Sequence, residues 1–264
     1  MDAFTRLILE AEQAHFSGWD FSYLKDRLVE EAPPWKYRPI VASAMAHAQS
    51  LLDMGTGGGE FLAMLPDLPT HTWATEAYPP NIPLARQRLE PLGVRVVEFQ
   101  DDDRLPFSAE VFDLIINRHE SYCPPEVWRI LKPGGGFITQ QVGGCDNIEL
   151  NEQLGADVDP EYIDWNRQQA AEELRAAGFR IARQEEALSR TVFHDVGAVV
   201  YYLKAIPWQI PGFTVEFYRD RLRRLHDRMA TGDPLVIHSH RFLIQCIKEP
   251  VLSLIHISEP TRPY

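Results

Sequence analysis

Apolar positions fall into three stretches with different periods. Over residues 1–50 they recur at helical spacing. In Phe4 to Ala14, Leu7, Ile8 and Ala11 alternate with acids, and SYLKDRLVEE continues in the same style, so both predict helix. Between them, HFSGWDFSYL gathers Phe16, Trp19, Phe21 and Tyr23. Pro33-Pro34 then ends the helical run.

From Leu51 onward, short apolar runs alternate with amphipathic stretches of ten to fifteen residues. Ser50 to Met54, Thr72 to Thr75, Val94 to Phe99, Phe112 to Asn117, Phe137 to Val142 and Phe179 to Glu185 predict strands. Glu60 to Leu65, Asn81 to Pro91, Pro124 to Leu131 and Pro160 to Ala177 predict helices, the last closed by Gly178. Such alternation predicts an α/β fold: a mostly parallel sheet with right-handed crossovers and helices on both faces.

The remainder is less regular. Val196 to Ala205 predicts a helix, and residues 207–212 a stiff turn. Tyr218, Leu222, Leu225 and Met229 lie on one face of a helix from Phe217 to Met229, and Arg241 to Lys248 is the seventh strand. The division expected is a helical cap over 1–50, an α/β domain over 51–250 and a tail over 251–264. The tail, ending SLIHISEPTRPY, resembles the translated read-through of a sequencing adapter and is expected to be non-native.

Charge narrows the function classes. The net charge of −12 disfavours a general nucleic-acid binder, which needs a cationic field to neutralise phosphates. The longest uncharged stretch, Pro39 to Leu52, is too short to span a membrane. The acids of MDAFTRLILEAEQ do not suit a signal peptide, and the expected location is cytoplasmic. Cys123, Cys145 and Cys246 form no CxxC pair, so no disulfide framework or zinc knuckle is expected.

The chemistry concentrates in Leu51-Leu52-Asp53-Met54-Gly55-Thr56-Gly57-Gly58-Gly59-Glu60-Phe61-Leu62, an apolar strand, an acid, alternate glycines and a helix. Glycines let the backbone turn sharply and approach a ligand, and a helix start offers free N–H groups. The dinucleotide pattern GxGxxG is absent here, which disfavours a nicotinamide-dependent oxidoreductase. The Asp-x-Gly-x-Gly-x-Gly arrangement resembles the first motif of class I S-adenosyl-L-methionine-dependent methyltransferases, of the type 11 kind.

Four further pieces follow in the family's order. Glu76 stands 19 residues beyond Gly57, where the family's acid holds the two ribose hydroxyls. Gln100 to Phe107 is similar to the acid-x-x-x-Leu-Pro-Phe segment that contacts adenine, with Asp101 and Asp102 the expected contacts and Asp103 facing solvent. Phe112 to Asn117 resembles the strand ending beside the methionine moiety, and Val127 to Gly135 the helix and turn before the fifth strand. The resemblance implies a Rossmann-like, doubly wound, seven-stranded sheet with a helical N-terminal cap and a C-terminal insertion. It also implies S-adenosylmethionine held by Asp53, Gly55, Thr56, Gly57, Gly59, Glu76, Asp101, Asp102 and Asn117.

In the family, the loop after the fourth strand faces both sulfonium and acceptor. Here it reads Asn117-Arg118-His119-Glu120-Ser121-Tyr122. His119 is the candidate general base, with Glu120 orienting it or binding an amine; the alternative is that both only shape the pocket. Trp19, Asp20 and Tyr23 are candidates for a lid over this loop, or else an aromatic anchor for the core. HESYCPPEV lacks the second histidine of HExxH, and His238 and His240 have no acid at a recognisable spacing, so no metal is expected. Five arginines crowd residues 219–228, balanced in part by Asp220 and Asp227. The expected activity is methyl transfer to a small molecule. The alternatives are a non-catalytic cofactor-binding module and an RNA methyltransferase.

Overall fold

The computed structural model describes residues 1–16 and 21–250. Helix α1 (Ala3–Gln13) starts at Asp2, whose carboxylate accepts the Thr5 N–H at 2.9 Å, and buries Phe4, Ile8 and Ala11. The helix expected from SYLKDRLVEE does not form. Ser22–Leu24 is a single 3-10 turn, and Leu28–Glu30 is a strand, β1. Pairing decides this, because Leu28, Val29 and Glu30 register against Phe193, Val192 and Thr191, and the Arg27 guanidinium is bound by Asp195. Helix α2 (Tyr37–Met45) completes the N-terminal part.

The centre alternates as expected: β2 (Ser50–Met54), α3 (Glu60–Ala63), β3 (His71–Glu76), α4 (Ile82–Leu89), β4 (Arg95–Glu98), β5 (Phe112–Arg118), α5 (Pro124–Ile130) and β6 (Leu131–Val142). Then come α6 (Ile148–Leu154), α7 (Arg167–Ala176), β7 (Arg180–Phe193), α8 (Val196–Ala205), α9 (Val215–Ala230) and β8 (Leu235–Ile247). The helix expected from Pro160 begins only at Arg167, where the Asn166 side chain accepts the N–H groups of Gln168 and Gln169.

Among the described residues, eight strands form one mixed sheet in the order β1-β7-β8-β6-β5-β2-β3-β4. The seven-stranded expectation is thus one short, the addition being β1. Strands β4, β3, β2, β5 and β6 are parallel, whereas β8 is antiparallel to both β6 and β7. From β2 the chain builds outward to β3 and β4, then returns to β5 on the other side. The two directions diverge between β2 and β5, the switch point at which sheets of this topology form a ligand crevice at the carboxyl ends of their strands.

Alternate side chains feed opposite faces. Leu51 packs with Val41 and Met45 of α2, Leu62 of α3 and Leu89 of α4. Leu52 and Met54 pack with Val127 and Ile130 of α5 and Leu174 of α7. A third cluster joins α1, α8 and α9 to the outer ends of β7 and β8, which run beyond the expected 179–185 and 241–248. Strand β6 pairs with β8 only from Arg241 to Ile247. Beyond it, the exposed edge of β8 is met by other groups. Gly143 and Asn147 donate N–H to the carbonyls of His240 and His238, while His240 and His238 donate N–H to the carboxylates of Asp146 (2.7 Å) and Glu149 (3.2 Å). No helix among the described residues is long and apolar enough to cross a membrane.

Candidate active site

The turn after β2 is built from alternating left-handed glycines, with φ of 66° at Gly55, 62° at Gly57 and 80° at Gly59. Such values explain glycine at these three positions, since a Cβ strains there. Asp53 is buried under the turn and accepts the Thr56 hydroxyl at 2.7 Å. Burial pushes its carboxyl up to about 7, against the pull of the Thr56 hydrogen bond and the Arg118 charge; nearby Glu76 adds to the rise.

Glu76, at the end of β3, is buried, and one oxygen accepts the Tyr78 N–H at 2.8 Å. Asp101 is exposed and accepts the Asp103 N–H at 2.9 Å, closing a local turn; Asp103 is exposed as expected. Asp102 is half-buried and accepts the Ser121 hydroxyl, and its Oδ1 is buried without a partner. Burial, with the charges of Asp101 and Asp103, raises its pKa.

Asn117 is buried, and its amide nitrogen reaches the Ser121 carbonyl at 3.4 Å. Its Oδ1 accepts the Thr139 hydroxyl at 2.9 Å and the Gln141 amide at 2.5 Å, locking β5 to β6. Tyr122 enters the core against Phe137, its hydroxyl buried without a partner. Glu120 stays at the crevice. Its side chain lies on Gly55, and its Oε1 accepts the Ser121 N–H at 3.3 Å. Burial and the neighbouring charges of Asp102 and Glu76 raise its pKa.

His119 takes a left-handed φ of 61° and donates its N–H to the Gln140 carbonyl at 2.8 Å. The residue is exposed as a whole. The mass of protein around it and the charges of Arg241 and Arg118 hold its pKa below the usual histidine value. Glu120 makes no hydrogen bond to it, so the expected orienting pair is not formed. Gln140 meets its ring instead, with Trp35 bonded to the far side of the Gln140 amide. No motif contains either residue; the register of β5 with β6 brings Gln140 there.

Of the proposed lid, Trp19 and Asp20 lie outside the described residues. Tyr23 stacks on Tyr201 of α8 at 4.4 Å, and the Arg27 guanidinium lies over the Tyr23 ring at 4.5 Å, so it anchors the third cluster. His238 and His240 have carboxylate partners from distant elements: Glu149 at 2.6 Å and Glu186 at 3.0 Å. No group of three or more metal-ligating side chains occurs among the described residues. In α9, Arg221 is bonded to the Gly155 carbonyl, Arg223 to Asp2 and Arg228 to Gln153. A cavity of about 760 Å³ lies elsewhere, beside α2, lined by residues that include Ala44, Phe137 and Arg183.

Residues 52–139, the span holding the glycine turn, Glu76, Asp102 and Glu120, match the family described as a methyltransferase domain. This span is thus similar to a methyltransferase domain. The cofactor of such domains is S-adenosylmethionine. A Mycobacterium ulcerans protein named as phthiotriol/phenolphthiotriol dimycocerosates methyltransferase 2 is 30% identical over 143 residues, 52% of this chain and 55% of that protein. The chain thus spans about half the length of the curated relative it matches. A methyltransferase-like structure from Bacillus halodurans superimposes with a TM-score of 0.57 at 16% identity, covering 80% of this chain and 96% of that one. YcgJ of Bacillus subtilis gives 0.53 at 17%, covering 80% and 97%. These two show that most of the chain shares their fold.

The crevice suits the cofactor's chemistry. The cofactor carries an ammonium, a sulfonium and a ribose diol, and the crevice offers a glycine turn, the buried carboxyls of Asp53 and Glu76, and the unpartnered Asp102 oxygen.

Proposed function

We propose that the chain transfers the methyl group of S-adenosylmethionine to a hydroxyl oxygen of a small, largely apolar molecule. The meeting of Glu120 with Gly55 carries this reading. It puts a carboxylate whose ionisation is disfavoured beside the cofactor turn of a methyltransferase domain. A carboxylate tuned upward is an effective proton acceptor near neutrality. Hydroxyl nucleophiles need that help, because the attacking oxygen must shed its proton.

In this reading Glu76 accepts the ribose hydroxyls, Asp53 faces the ammonium and Asp102 lies toward adenine. Glu120 swings off Gly55 and takes the acceptor's hydroxyl proton as the oxygen bonds to the methyl carbon. Bound there, S-adenosylmethionine would supply that methyl carbon, its sulfonium becoming a neutral sulfide. The Mycobacterium ulcerans relative is named for a triol and a phenol, both hydroxyl-bearing. Net charge and the partnered arginines of α9 weigh against RNA.

The test is incubation with methyl-labelled S-adenosylmethionine and fractionated cell extract. Label is expected in solvent-extractable small molecules, and Glu120→Gln should lower turnover by about 10²–10⁴ while the cofactor still binds. Label in RNA or protein overturns the acceptor class. Full turnover in Glu120→Gln overturns the assignment of the base.

A further inference from the structure

Trp35, buried in the segment before α2, donates its indole N–H to Gln140 Oε1 at 2.8 Å. The Gln140 amide nitrogen then lies 3.0 Å from His119 Nε2. An indole nitrogen only donates, so the amide oxygen must face it. The amide nitrogen also only donates, so His119 Nε2 must accept. That ring nitrogen therefore carries a lone pair, and the ring proton sits on Nδ1, which makes no hydrogen bond to the described residues. An imidazolium would put two donors face to face.

The surroundings agree. Arg118, the preceding residue on β5, and Arg241 of β8 both disfavour positive charge on the ring. Arg241 is paired with Asp146 and lies 3.9 Å from Glu30 of β1, while Glu120 follows His119 in the chain.

Building on the methyl transfer proposed above, we propose that Trp35 and Gln140 are positioning residues that hold His119 as its neutral Nδ1–H tautomer. His119 then offers the acceptor a hydrogen-bond donor and leaves proton removal to Glu120. The acceptor chemistry this fits is an oxygen with a spare lone pair. A hydroxyl qualifies on both counts, since its lone pair takes the Nδ1–H while its own proton points to Glu120. An ammonium has no lone pair to offer and is not gripped this way.

The decisive measurement is long-range ¹H–¹⁵N NMR on the full chain with ¹⁵N-labelled histidine. The His119 signals are assigned by their loss in His119→Asn. The wild type is expected to show a protonated Nδ1, a bare Nε2 and no imidazolium between about pH 5.5 and 8. In Gln140→Glu a carboxylate accepts from both indole and ring, so Nε2 gains the proton and the ring's titration moves up by a unit or more, as roughly expected beside an anion. In Trp35→Phe the amide is free to turn, and both tautomers appear. A wild-type proton on Nε2, or an ordinary titration near 6.5 that Gln140→Glu leaves unmoved, overturns the proposal. So does a Gln140→Glu variant that loses only thermal stability. None of these signals requires turnover, so their failure is separable from failure of the methyl-transfer reading.

Discussion

The side chain of Glu120 lies against the backbone of Gly55, so close that a Cβ at Gly55 would stand 2.3 Å from Glu120 Cγ. The end of β5 and the turn after β2 are thereby in direct contact, and the two carry the halves of the proposed reaction.

Gly55→Ala should therefore weaken cofactor binding for two reasons. The new methyl collides with Glu120, and its φ of 66° strains any L side chain. Calorimetry with S-adenosylhomocysteine should show at least a tenfold rise in Kd, about 1.4 kcal/mol. An unchanged Kd would remove the turn from the site.

Glu76→Ala should cost more. Losing two charge-assisted hydrogen bonds to the ribose predicts a loss of roughly 3 kcal/mol, about a hundredfold in Kd. Equal affinities in wild type and variant would place the ribose elsewhere.

Cofactor affinity should depend on pH through Asp53. Its carboxyl, raised to about 7, must be ionised to attract an ammonium. As pH falls below about 7, affinity should fall by up to about tenfold per unit, and Asp53→Asn should flatten that slope. A flat wild-type profile from pH 5.5 to 8 would count against the contact.

The same residue links stability to function. A carboxyl whose folded pKa is raised is bound to a proton that the unfolded chain releases, so it weakens the fold as pH rises through the interval from 3.8 to about 7. Asp53→Asn should stabilise the fold at pH 8 on the order of 2 kcal/mol, and little at pH 4. Thermal melts at both values check the sign.

The five motif pieces were legible because each is a local run whose order survives in sequence. Asp53, the glycine turn, Glu76 and Glu120 all fall at one set of strand ends. What was not legible depends on pairing between distant residues. Arg27 and Asp195 fix β1, yet nothing near Leu28 marks a strand, and its spacing imitates a helix. The outer half of β7 reads as a solvated charge run in QEEALSR, because only pairing with β8 makes it a strand. Gln140 looks like any polar strand residue until Trp35 and His119 are seen on either side of its amide. Asn117 matches its motif position, and its hydrogen bonds to Thr139, Gln141 and Ser121 come from elements that no motif names.

Strand β8 has two kinds of edge along one continuous backbone. Between Arg241 and Ile247 its partners are peptide groups of β6, which no amino-acid substitution removes, proline apart. At His238 and His240 the N–H groups are received by the side chains of Glu149 and Asp146, each of which a single codon change can abolish. Heritable change is therefore unevenly available along the strand. The half beneath the helical cluster of α1, α8 and α9 can drift in geometry one mutation at a time, while the half braced by β6 keeps the parallel part of the sheet in register.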